Sequence, residues 1–120
     1  MFKRLGQTIL LLLCTQLTLG CTSDLDDYRD SKPEFNLFEY FEGESMAWGM
    51  VQDYTNKQTR RFEVVIVGSV KENTLTLVED FVFDDGEKSQ RIWTIERLGD
   101  GRYQGSADDI IGGATGREVG

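Results

Sequence analysis

The side chains with chemical reach in this 120-residue chain are its carboxylates and a cysteine. Adjacent acids stand at Glu79-Asp80, Asp84-Asp85 and Asp108-Asp109. Two carboxylates flanking a bond are the arrangement of a glycosidase, and clustered carboxylate oxygens also hold divalent metals. Asp84-Asp85 and Asp108-Asp109 fall where strand-like runs end, and aspartate at such places builds turns. Asp24, Asp26 and Asp27 are oxygen ligands too, but the glycine and bidentate glutamate that complete a calcium loop are absent. With no histidine in the chain, nucleophilic triads, Cys-His pairs and the usual zinc sites are all removed. The expectation is a protein with no catalytic residues, no metal and no cofactor, and not an enzyme.

Cys21 is the second chemical landmark. Lys3 and Arg4 form a short positive segment, Ile9 to Leu13 an aliphatic run, and Gly20 a small residue just before the cysteine. The run is too short and too often interrupted by Gln7, Thr8, Thr15 and Gln16 to span a bilayer, which takes about twenty mostly apolar residues. Leu17-Thr18-Leu19-Gly20-Cys21 resembles the lipobox of bacterial lipoproteins, with Thr18 where leucine is usual. The resemblance implies that 1–20 is a signal peptide and that Cys21 is the site of lipid attachment. It also implies that the protein sits in the cell envelope, anchored to a membrane by acyl chains. Thr22, rather than aspartate, after the cysteine favours the outer membrane, facing the periplasm. Of the two cysteines, Cys14 then leaves with the signal and Cys21 is consumed, so no disulfide is expected.

Charge narrows the partners. The chain carries a formal charge of -8, and since the first 20 residues hold two bases and no acid, the remainder stands at -10. Phosphate repels such a domain, so nucleic acid is not expected as a partner and contact with anionic lipid must come from the acyl chains. Residues 21–33 are polar, acidic and without apolar period, and read as a flexible tether. Residues 34–120 suffice for one small domain.

The elements of that domain follow from period and punctuation. Asn36 and Glu39 have capping-box spacing, and Leu37, Phe38 and Phe41 share one side of a turn, which predicts a short helix over 37–41. From there six strands are expected: 44–54, 60–71, 74–83, 87–98, 102–108 and a glycine-rich 110–119. Thirteen glycines and one proline suit strands joined by tight turns. The fold class is all-β, an antiparallel up-and-down meander that either closes into a barrel or leaves edges exposed.

The turns set the register. A two-residue loop at Glu72-Asn73 pairs Val70 with Leu75, Gly68 with Leu77, Ile66 with Glu79 and Val64 with Phe81. A three-residue loop ending in a left-handed Gly86 pairs Leu75 with Ile95, Leu77 with Trp93 and Glu79 with Arg91. A one-residue slip would turn Trp93 and Ile95 off the apolar face. A third loop at Gly99-Asp100-Gly101 carries that face on through Tyr103, Gly105, Ala107 and Asp109. Glu79 and Arg91 therefore face each other inside an apolar stripe, as an ion pair that fixes register or as a contact for a polar head group. Trp48, Phe62, Phe81, Trp93 and Tyr103 are the aromatics that fill a core or line a pocket.

Phe41 to Gln52 with Ala47-Trp48-Gly49, Arg60-Arg61-Phe62, Glu79-Asp80-Phe81, Asp85-Gly86, Arg91-Ile92-Trp93 and the run Gly99 to Asp109 are similar to an uncharacterised group of proteobacterial envelope lipoproteins, a domain of unknown function. That resemblance implies a lipocalin-like (calycin-like) barrel. The short helix before Trp48 is similar to a lipocalin entry, though the Gly-x-Trp spacing is not matched. Members of the group continue for several more strands, so the expectation here is a C-terminally incomplete barrel. Two functional readings come first: a lipid-anchored barrel that binds a hydrophobic small molecule or lipid, and a non-enzymatic accessory of an outer-membrane assembly. An enzyme is the weakest reading.

Overall fold

The computed structural model describes residues 24–120; Cys21 and the segment read as a signal peptide lie outside the described residues. One helix and six strands follow in chain order: α1 (Leu37–Phe41), β1 (Gly43–Gln52), β2 (Gln58–Lys71), β3 (Thr74–Phe83), β4 (Lys88–Gly99), β5 (Arg102–Ser106) and β6 (Ala114–Arg117). The strands pair antiparallel with their sequence neighbours, order β1 to β6, and the sheet curls into a half-barrel. The expected meander and the helix before its first strand are both present. Among the described residues no helix is long and apolar enough to cross a membrane.

Turn chemistry explains the register. Glu72 takes φ 55° in the two-residue loop, and the Asn73 carbonyl is held from β4 by a hydrogen bond from the Arg97 amide at 2.9 Å. Val70 then pairs with Leu75, Gly68 with Leu77 and Ile66 with Glu79. Gly86 takes φ 86°, and the Phe83 amide bonds the Glu87 carbonyl at 2.9 Å across it. That loop sets Leu77 against Trp93 and Glu79 against Arg91. A bulge next to Gly99 keeps Arg97 opposite Tyr103 and Ile95 opposite Gly105.

The strand ends depart from the expected bounds for local reasons. β1 stops at Gln52 because the Asp53 carboxylate accepts from the Thr55 and Lys57 amides, at 2.8 and 3.1 Å, and bends the chain. β5 stops at Ser106 because the Ile110 amide turns back onto the Ala107 carbonyl at 3.0 Å. β6 shrinks to four residues because Gly112 and Gly113, at φ 78° and 76°, are spent on the turn before it. Within the acidic stretch 21–33, Leu25–Tyr28 forms a single 3-10 turn capped by Asp24, and Asp26 reaches Arg117 of β6 at 3.3 Å.

The core lies on the concave face. Val64, Ile66, Leu75, Leu77 and Tyr103 are buried there together with Phe38, which α1 lowers onto the sheet. The Asn36 side chain accepts from the Glu39 amide at 3.1 Å, so the helix starts where the capping spacing places it. Phe38 meets the Tyr103 ring at 5.7 Å between centroids, and the Arg97 guanidinium lies over the Phe38 ring at 4.2 Å. Helix α1 thus plugs one end of the curl. At the other end Phe62 packs edge-on to Phe81 and Phe83, at 5.3 and 5.7 Å.

Candidate functional site

Between α1 and the last two strands the concave face holds an open groove of about 340 Å³. Leu77, Trp93, Ile95 and Tyr103 form its floor, with Phe35 and Leu37 on the helix side. The space exists because, beyond Tyr103, β5 and β6 bring almost no side-chain bulk to it. Gly105 pairs with Ala114 and Tyr103 with Gly116, so the inward positions opposite the large residues are glycine, alanine and glycine. A Cβ on Gly105 would meet Ile95 and Trp93 at ordinary contact distance, 3.5 Å, and one on Gly116 would meet nothing within 4 Å.

Glu118 closes the helix end of this groove. Its carboxylate accepts from the Leu37 amide at 2.9 Å and from the Tyr103 hydroxyl at 2.6 Å. The first bond satisfies one of the amides a helix start leaves unpaired. Burial, and then the Glu118 acceptor, push the Tyr103 hydroxyl up to about 12, so Tyr103 stays a neutral donor throughout the physiological range. The backbone amide of Glu118 donates to the Gly101 carbonyl at 2.8 Å, which ties the carboxylate to the β4–β5 turn.

The far end of the groove carries Glu79. Glu79 and Arg91 are Cα partners and both half-buried, as their register requires, but they do not form the expected ion pair. The Arg91 guanidinium is turned instead to Asp109, with Nε at 3.0 Å and Nη2 at 2.6 Å from one carboxylate oxygen. Asp109 is the more exposed acid, so pairing there leaves more of both charges in water than pairing with Glu79 would. Arg91 holds the Asp109 carboxyl below its usual range. Glu79 moves the other way: burial raises it, Arg91 opposes that rise and Asp109 adds to it.

Of the aromatics singled out by sequence, Trp93 and Tyr103 meet in the groove, and Phe62 and Phe81 pack together in the cluster at the opposite end. Trp48 does neither. It is 68% exposed on the outer face, its indole N–H donating to Glu63 at 3.1 Å. The inward positions of β1 are Ser45, Ala47 and Gly49, and a Cβ on Gly49 would already collide with the Phe62 ring, so no indole fits on that side. Sequence reasoning passed over Glu118, Gly116 and Ala114, and read Leu37 only as part of the helix. Gly105 opposite Ile95, Ala114 opposite Gly105 and Gly116 opposite Tyr103 were a usable sign of empty space; nothing local in the sequence singles out Glu118.

A family described as a protein of unknown function (DUF3833) matches residues 15–120. No curated protein matches the chain, and no solved structure does.

Proposed function

The chain belongs to the DUF3833 family of unknown function, and from that premise we propose that it is a lipid-anchored envelope protein that holds a hydrophobic small molecule against its curled sheet. The observation that carries the reading is the apolar groove over Leu77, Trp93, Ile95 and Tyr103, kept open by Gly105, Ala114 and Gly116. Small-molecule sites are concave, mostly apolar and furnished with a few polar groups, and at about 340 Å³ this one stands at the small end of their range. A single acyl chain suits that volume better than a diacyl lipid. No chemistry is performed in this reading: Tyr103 stays protonated, Glu118 is occupied by two donors, and both act as scaffolding.

The test is fluorescence of N-phenyl-1-naphthylamine, a neutral apolar probe, titrated into the full chain. Saturable enhancement is expected. Gly116→Leu should abolish it while leaving the fold intact, because Gly116 has no left-handed φ and open space beyond its Cα. Equal saturable binding by Gly116→Leu would remove the groove as the site.

The anchor has its own prediction. Cys21→Ser should eliminate metabolic palmitate labelling and leave an unprocessed precursor in place of the outer-membrane form. Labelling that survives the substitution counts against Cys21 as the attachment point.

An accessory role is the second reading, favoured by the edge of β1, which no other strand among the described residues covers. Met46, Trp48 and Met50 stand outward along it, about half to two-thirds exposed, and exposed apolar rows on an edge strand invite pairing with another chain. A full chain that binds no probe, yet loses a co-purifying envelope protein on Trp48→Ala, would turn the argument that way.

A further inference from the structure

We propose that the occupant of the groove carries a cationic ammonium head, placed against Glu79, rather than the carboxylate of a fatty acid. This rests on the groove being a ligand site and concerns which amphiphile it selects. The charged residues lining the groove are Glu79, Arg117 and Glu118. Two of them are already engaged. Arg117 reaches Asp26 at 3.3 Å, and both carboxylate oxygens of Glu118 hold donors. Among the described residues Glu79 makes neither a hydrogen bond nor an ion pair, although it is half-buried beside Leu77 and Trp93. The base nearest to it, Arg91, is satisfied by two contacts to Asp109.

The end of the groove therefore holds two carboxylates and one guanidinium, a local excess of one negative charge. A carboxylate head seated at this end would approach Glu79 with no unpaired cation beside it among the described residues, and burial in an apolar groove strengthens that repulsion. An ammonium meets the opposite situation. It brings the counter-charge that Glu79 lacks, and its tail lies along Leu77, Trp93 and Ile95 toward the gap left by Gly105 and Gly116. Burial raises the Glu79 carboxyl against the opposing pull of Arg91, so a cation seated beside it would favour its charged form.

The experiment is displacement of bound N-phenyl-1-naphthylamine from the full chain at neutral pH by dodecylammonium, dodecanol and dodecanoate, each below its micelle threshold. The three share a tail and differ only in the head. Dodecylammonium should displace the probe at a concentration ~10-fold or more below that of dodecanoate, a difference of about 1.4 kcal/mol. Dodecanol should fall between them. In Glu79→Gln, checked for its fold by circular dichroism, the preference for ammonium should vanish and dodecanoate should improve. Displacement by dodecanoate at equal or lower concentration overturns the head-group assignment and leaves the groove standing. An ammonium preference that survives Glu79→Gln overturns Glu79 as its source. Failure of the probe to bind at all overturns the groove itself, and this inference with it.

Discussion

Replacing Gly68 with alanine is expected to lift helix α1 off the sheet and cost the domain about 3 kcal/mol, a drop of roughly 10 °C or more in Tm. Gly68 lies in β2 opposite Leu77, and the carbonyl of Phe41, the last residue of α1, rests directly on it. An alanine Cβ would fall on that carbonyl oxygen, 2.7 Å from the carbonyl carbon and 3.2 Å from Leu77 Cδ2. The obstacle is backbone, so no rotamer change relieves it. If α1 rises, Phe38, now 3% exposed, loses its seat on Tyr103, and the Leu37 amide leaves Glu118. Uncovering one phenylalanine alone is worth about 1.5–3 kcal/mol. Urea denaturation of the full chain gives the measurement, with Gly116→Ala as the control. That alanine meets nothing within 4 Å and should stay within about 0.5 kcal/mol of the parent. A Gly68→Ala chain as stable as its control would show that α1 is not docked there.

The same contact shows what a sequence can and cannot disclose here. The pairings Val70–Leu75, Leu77–Trp93 and Glu79–Arg91 were legible because each hairpin turn carries its own chemistry, a two-residue loop at Glu72-Asn73 and a left-handed Gly86. Loop length then propagates along a period of two with no further information. The helix was legible because Asn36 and Glu39 announce its start. Trp48 was not, since large residues usually mark the inner face and β1 inverts that pattern. Its inner face carries Gly49 because the Phe62 ring of β2 already fills the space above it, and that crowding is a property of two strands together.

The candidate site divides along the same line. Tyr103, Gly105 and Trp93 were placed on one face by register alone, and Asp109 was carried to the same side. The choice Arg91 makes between Glu79 and Asp109 depends on relative exposure across the end of β5, which no spacing encodes. Glu118 is the clearest case. Its carboxylate joins the start of α1 to a tyrosine of β5 from 81 and 15 residues away along the chain. A single glutamate after a glycine-rich run gives no local sign of that bridge. The groove accordingly depends on long-range closure at its helix end and on small residues at its open side.

Leu75 separates stability from binding, and Leu75→Ala is expected to cost about 3 kcal/mol. Leu75 is 0% exposed, pairs with Val70 and Ile95 on its two sides, and belongs to the buried cluster without lining the groove. Truncation there removes buried methyls from water-free surroundings and leaves a void that the curled sheet can only partly close. Against the usual stability of a small domain, about 5–15 kcal/mol, that is a large share, and the midpoint of urea unfolding should fall accordingly. Ile111→Ala, at a side chain fully in solvent, should leave the midpoint unchanged. The two leucines of β3 then give opposite signatures. Leu77 is buried and also lines the groove, so Leu77→Ala should weaken both the fold and the probe. Leu75→Ala, assayed well below its midpoint, should bind the probe as the parent does. Loss of probe binding in a folded Leu75→Ala chain would mean that the bound molecule enters the buried cluster around Leu75, and that the open groove beside Trp93 is not where it rests.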